Sequence, residues 1–146
     1  MILLDTNVIS ALMRDTPDEV VIPWLDRQPR TSIWTTSVNI FETRYGLQIM
    51  PLGKRQSTMR SLFERLLTDI IQGRIALFDS AAAEHAADLA ADCKKRGRPR
   101  DPRDTMIAGI VLASHAKLAT RNVKHFEEIA SSLVNPWDSQ SLTHRT

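Results

Sequence analysis

Apolar residues recur along the chain in two alternating rhythms. Short apolar runs stand between polar turns, as a buried strand requires: Ile2 to Leu4, Ser32 to Thr35, Ile75 to Phe78, Leu118 with Ala119, and Leu133 with Val134. Longer stretches between them carry three-and-four spacing and read as helices. Asp5 and Thr6 form a strand end and cap before a short helix from Val8 to Met13, and Pro17 opens a second helix to about Arg27. Ser37 is placed to cap a helix from Val38 to Ile49, which Pro51 stops. A long helix is predicted from Lys54 to Gln72, with Met59, Leu62, Phe63, Leu66, Leu67, Ile70 and Ile71 along one stripe and Gly73 at its end. An alanine-rich helix follows from Ala81 to Lys95, closed by Gly97. Arg98 to Pro102 is a turn, and the most apolar helix runs from Arg103 to Ala116. Asn122 to Phe126 reads as a short helical turn. The alternation predicts an α/β protein with a parallel sheet of four to five strands and helices on both faces, as one domain over residues 1–146.

Composition narrows the class. Of 146 residues, 42% are hydrophobic and 25% charged, the balance of an ordinary globular protein. The lone cysteine, Cys93, permits neither an internal disulfide nor a cysteine zinc cluster. No stretch approaches the roughly 20 apolar residues of a membrane span. The first apolar run ends at Asp5 with no basic residue before it, unlike a secretory signal, so the cytoplasm is the expected location. Net charge is only +2, but Lys94, Lys95, Arg96, Arg98, Arg100 and Arg103 crowd one segment. Such a cluster attracts phosphates, or it is a solvated loop with cations at a helix end.

Three carboxylates are candidates for chemistry. Asp5 ends the first strand, where open α/β sheets place ligands, and also suits a helix cap. Glu42 borders the face formed by Val38, Phe41 and Tyr45, with Asn39 one turn back; pairing with Arg44 is the plain alternative. Asp104 opens the most apolar helix and profits from its dipole, again as catalyst or cap, with Asp101 able to share either role. Helix starts converge on one edge of a doubly wound sheet, which would bring the three together. Clustered carboxylates repel, and a hard cation such as Mg2+ relieves the repulsion.

The chain resembles the PIN-domain ribonucleases, specifically the VapC and FitB type of toxin from bacterial toxin–antitoxin pairs. The matching segments are Met1-Ile-Leu-Leu-Asp-Thr-Asn-Val-Ile9, Ser37-Val-Asn-Ile-Phe-Glu-Thr-Arg-Tyr-Gly-Leu47, Arg103-Asp-Thr-Met-Ile-Ala108 and Ala119-Thr-Arg-Asn-Val-Lys-His-Phe126, with Asn135-Pro-Trp-Asp138 at the close. They span nearly the whole chain.

The resemblance implies a PIN-like three-layer α/β/α fold and a metal site of Asp5, Glu42 and Asp104. It matches Thr6 and Asn7 to a polar pair after the first Asp, and Thr120 to a supporting residue. The family's fourth acidic position falls on Asn122, a departure that bears on how many metals bind; Asp101 is a candidate to compensate. The implied reaction is hydrolysis of RNA by a metal-activated water, with Mg2+, or Mn2+ in its place, leaving a 3′-hydroxyl and a 5′-phosphate. In this setting Arg96, Arg98, Arg100 and Arg103 become the expected RNA contacts. Implied partners are an RNA substrate, a cognate antitoxin and a second copy of the chain, with DNA reached only through the antitoxin and no membrane. Asn122 also keeps open an impaired module of the same fold that acts with its antitoxin in DNA-bound autoregulation. Phosphatases with Asp after the first strand need a second Asp where Asn7 stands. A receiver domain would use Asp79 and would leave Glu42 unexplained. His85, His115, His125 and His144 show no paired metal spacing.

Overall fold

Strands covered on both faces read as unbroken apolar runs, as Ile2 to Leu4 does. In the computed structural model, which describes residues 1–16 and 18–138, five such segments pair: β1 (Ile2–Leu4), β2 (Ile33–Thr36), β3 (Ile75–Ala76), β4 (Lys117–Ala119) and β5 (Leu133–Val134). All neighbours are parallel, in the order β3-β2-β1-β4-β5. Ile2 faces Ile33 on one side and Lys117 on the other, so β1 is the central strand. The strand order reverses direction between β1 and β4. That is the switch point at which such sheets open a crevice.

Side chains alternate across the pleat, so Leu3 and Leu4 enter different cores. Leu4 joins Val8, Ile9, Trp24, Ile33, Phe63 and Ile71. Leu3 joins Val38, Ile107, Ile110, Leu118 and Phe126. The result is the expected three-layer α/β/α arrangement.

The helices differ from the sequence reading mainly at their ends, where local caps decide. α1 (Thr6–Leu12) begins at Asp5, whose Oδ1 accepts from the Thr6 N–H at 2.9 Å. α2 (Val21–Asp26) starts later than expected, because the Asp18 carboxylate takes the Val20 and Val21 N–H groups, at 2.9 Å each. The expected start at Pro17 lies outside the described residues. α3 (Ser37–Ile49) is capped by Thr36, whose hydroxyl accepts from the Asn39 N–H at 3.0 Å. Ser37 instead accepts from the Phe78 N–H at 3.1 Å, tying the helix to the end of β3.

The long helix expected up to Gln72 is α4 (Lys54–Arg65) followed by a π-helical turn, Leu66–Ile71. Its apolar stripe faces the core: Phe63, Leu66 and Ile71 are buried. Gln72 itself takes the left-handed conformation before Gly73. α5 (Ser80–Lys95) is capped by Asp79, which accepts from the Ala82 N–H at 3.0 Å. That use of Asp79 removes the receiver-domain reading. α6 (Pro102–Ser114) starts one residue earlier than expected, with Asp101 as cap and Pro102 in the first turn. α5 and α6 approach closely at Gly109, where an added Cβ would press into the Ala82 carbonyl oxygen and the Ala86 side chain. The expected turn after Asn122 extends into a kinked 3-10 segment, Val123–Ser132, which buries Phe126 and Ile129. No helix among the described residues is long and apolar enough to cross a membrane.

Candidate active site

Parallel strands aim all their carboxyl ends at one edge, and the crevice between β1 and β4 opens there. Asp5 lies at its centre and is only 5% exposed. A carboxylate so buried needs partners for its lone pairs. Asp5 Oδ1 accepts from the Thr6 N–H and from Asn39 Nδ2 at 2.8 Å. Its Oδ2 accepts from Thr120 Oγ1 at 2.7 Å and from Asn7 Nδ2 at 3.3 Å. Four donors, from two helices and the end of strand β4, thus fix one carboxylate.

These donors are themselves held. Thr120 Oγ1 accepts from Asn7 Nδ2 at 3.2 Å and from the Asn122 N–H at 3.0 Å. Asn39 Oδ1 accepts from Thr36 Oγ1 at 2.6 Å, which fixes the amide so that its NH2 faces Asp5. Asn39 Nδ2 also reaches Thr6 Oγ1 at 3.1 Å. Thr35, Thr36, Asn39 and Thr120 are all fully buried. Asn39 and Thr36 were not assigned a site role from the sequence. Their signal was there: a Thr and an Asn three apart at a helix start, one turn before the candidate Glu.

Glu42 projects from α3, where its Oε1 accepts from Thr6 Oγ1 at 3.0 Å. Its Oε2 lies 3.7 Å from Arg103 Nη1. Arg44, the alternative partner, is taken by Glu64 at 2.8 Å. Asp104 stands in the first turn of α6, relieved of capping by Asp101, with its Oδ2 3.6 Å from His125 Nδ1. Burial pushes the Glu42 carboxyl above its ordinary range, and the charges of Asp5 and Asp104 push it further against the pull of Thr6 and Arg103. Burial likewise raises Asp104; Asp101 and Asp5 add to the rise, while His125 and Arg103 oppose it. Asp5, Glu42 and Asp104 are therefore within electrostatic reach of one another.

The donor set is all oxygen and over-negative, which is the chemistry a hard divalent cation satisfies. Among the described residues no three Asp, Glu, His or Cys side chains already stand at metal-ligand geometry. Asp5 is fixed, so closing onto a cation would fall to Glu42 and Asp104. Asn122 is exposed and takes part through its backbone. Asp101 is committed to the cap, accepting from the Arg103 N–H at 2.8 Å.

The basic segment is less free than its sequence implies. Arg100, expected to meet RNA, is turned inward: its Nε donates to Glu128 Oε1 at 2.7 Å, and its Nη2 to Glu127 Oε2 at 3.3 Å. The Glu128 carboxylate is half-buried, and the guanidinium is its partner there. Arg96 pairs with Asp92 on its own helix at 3.0 Å. Arg103 leans toward the site, between Glu42 and Asp101. Arg98 is exposed, with no carboxylate at ion-pair distance among the described residues. His125, passed over in the sequence for lack of paired spacing, is brought to Asp104 by the fold alone. His144 lies outside the described residues.

A parallel sheet in this order, with a buried Asp after the central strand and two further carboxylates facing it, defines a class of nuclease-like α/β folds. The chain matches the PIN domain over residues 2–131 and belongs to that family. Its relatives include the VapC ribonuclease Y4jK of Sinorhizobium fredii, 36% identical over 94% of this chain and 99% of the relative. Toxin FitB of Neisseria gonorrhoeae is 31% identical over 94% of this chain and 99% of its own. Among solved structures, FitAB bound to an IR36 DNA fragment contains a chain that superposes with a TM-score of 0.83 at 30% identity, covering 94% of this chain and 96% of that one.

Proposed function

We propose that the chain is a metal-dependent endoribonuclease, the toxin of a type II toxin–antitoxin pair, with Asp5, Glu42 and Asp104 as the residues that hold the metal. The observation that carries this reading is an Asp5 fixed by four donors, with Glu42 tied to the same Thr6 at 3.0 Å and Asp104 in the first turn of α6, both carboxyls raised by burial and by the charge of Asp5. A bound Mg2+, or Mn2+, would supply a polarised phosphate and a water acidic enough to attack it. Asp5 presents a carboxylate whose orientation is set before any ligand arrives. Thr6 orients Glu42, and Thr120 and Asn7 orient Asp5. Arg103, at the edge of the site, is placed to meet a phosphate once Glu42 turns away from it.

The names of the relatives support an RNA substrate and a cognate antitoxin, and the DNA-bound complex supports contact with DNA through that antitoxin. A second copy is also part of this reading. Phe41, Tyr45 and Ile49 form an apolar stripe on the outside of α3, 58%, 53% and 66% exposed, which burial in a dimer would favour. The cytoplasm, where RNA is made and read, is the proposed location.

The test is incubation of the purified chain with single-stranded RNA and Mg2+. Cleavage should vanish with EDTA, with Asp5→Asn and with Asp104→Asn; cleavage that survives all three places the activity elsewhere. One observation favours a second reading: Asn122 stands where the family pattern has an acid. A binding module that has lost cleavage would show no Mg2+ or Mn2+ binding that depends on the three carboxylates.

A further inference from the structure

Arg100 is turned inward, and besides Arg103 a further arginine is built to meet the RNA backbone. Arg121 is the second residue after β4, next to Thr120, which holds Asp5. Its backbone N–H donates to Asn7 Oδ1 at 3.0 Å, so its start is fixed to the same network. Its guanidinium lies over the Trp137 ring, 4.4 Å from the centroid. Trp137 follows β5 by three residues and is also immobilised. Its indole N–H donates to Asp18 Oδ2 at 3.4 Å, its backbone N–H to Asn135 Oδ1 at 3.0 Å, and its ring packs on the core. Asp18 is in turn held by the Val20 and Val21 N–H groups.

Among the described residues no carboxylate lies at ion-pair distance from Arg121, although the residue is exposed. A guanidinium stacked on an indole keeps its N–H edge free for two hydrogen bonds to a phosphate. Stacking also removes rotamer freedom before the ligand binds, which lowers the entropic cost of the contact. Lys124 is exposed in the 3-10 segment that begins two residues after Arg121. We propose that Arg121, pre-oriented on Trp137, is a positioning residue that binds an RNA backbone phosphate beside the Asp5 carboxylate.

This inference rests on the ribonuclease reading, and the experiment separates the two. Binding of a single-stranded RNA oligonucleotide to the full chain is measured in EDTA, where nothing is cut, across a series of KCl concentrations. Arg121→Ala should weaken binding about tenfold at low salt, and should flatten the slope of log affinity against log salt by roughly 0.7, the share of one phosphate on a single strand. Arg121→Lys should keep the slope and lose part of the affinity, since an ammonium cannot bind two oxygens in a fixed fork. Trp137→Leu should also keep the slope and lose affinity, because the charge stays and its orientation goes. Unchanged affinity and slope in Arg121→Ala overturn the proposal. So does an affinity loss in Arg121→Ala with the slope of the parent, which would mark the pair as a tether for the residues after β5. If the parent chain neither binds nor cuts RNA, the ribonuclease reading itself fails.

Discussion

Asp5 and Asp104 both stand at the first turn of a helix on the carboxyl edge of the sheet, yet they are held in opposite ways. Asp5 is buried, caps α1 and accepts from four donors. Asp104 has its capping duty taken by Asp101, and among the described residues its one ion-pair partner is an exposed histidine, 3.6 Å away. One carboxylate is thus a rigid reference point in the absence of any ligand. The other is raised by burial and by the Asp101 and Asp5 charges beyond what His125 and Arg103 offset, and a cation is what would relieve it. A site needs both: a fixed member sets geometry, and a charge-strained one supplies the drive to bind.

The largest effect that tests this contrast is at Asp5. Asp5→Ala should lower cleavage more than about a hundredfold, and it should also destabilise the fold by about 2–4 kcal/mol, since Asn39, Thr120 and Asn7 lose a buried acceptor. Chemical denaturation and RNA cleavage check the two parts. A variant as stable as the parent would break the view of Asp5 as a structural anchor.

Next comes Arg100. If it serves the fold and not RNA, Arg100→Ala should cost about 2 kcal/mol, by leaving the half-buried Glu128 without its guanidinium partner, while the salt slope of RNA binding stays put. A flattened slope with unchanged stability would restore the surface role expected from the sequence.

Glu128 gives the pH dependence of the same contact. Burial opposes its ionisation, but its own backbone N–H and the Arg100 and Cys93 hydrogen bonds outweigh burial and hold the carboxyl below its usual range. A lowered folded-state pKa stabilises above the unfolded value and is lost as pH falls through the folded one. The stability gap between the parent and Glu128→Gln should therefore be full at neutral pH and close below roughly pH 4.

The smallest effect has the opposite sign. Asp104 is raised, so its charged form disfavours the fold, and stability present at low pH is lost as pH rises through the folded value. In metal-free protein at neutral pH, Asp104→Asn should be more stable than the parent by on the order of 1 kcal/mol. Mg2+ should raise the melting temperature of the parent and leave that of Asp104→Asn nearly still. A destabilised Asp104→Asn would end the contrast between the two acids.

The sequence by itself determined the element order, the parallel sheet and the candidate carboxylates. Apolar runs and three-and-four spacing are local, and the motifs that carry the family resemblance are contiguous. It also held the caps, although neighbouring polar residues competed for them: Thr36 over Ser37, Asp101 over Asp104. Only the tertiary structure decided which polar groups meet. Asn39 reaches Asp5 across 34 residues and Thr120 across 115. Arg100 turns to Glu128, His125 to Asp104, and Arg121 to Trp137. The reason is physical: burial of a carboxylate requires donors and cations, and the chain recruits them from whichever strand ends the sheet brings to the same edge.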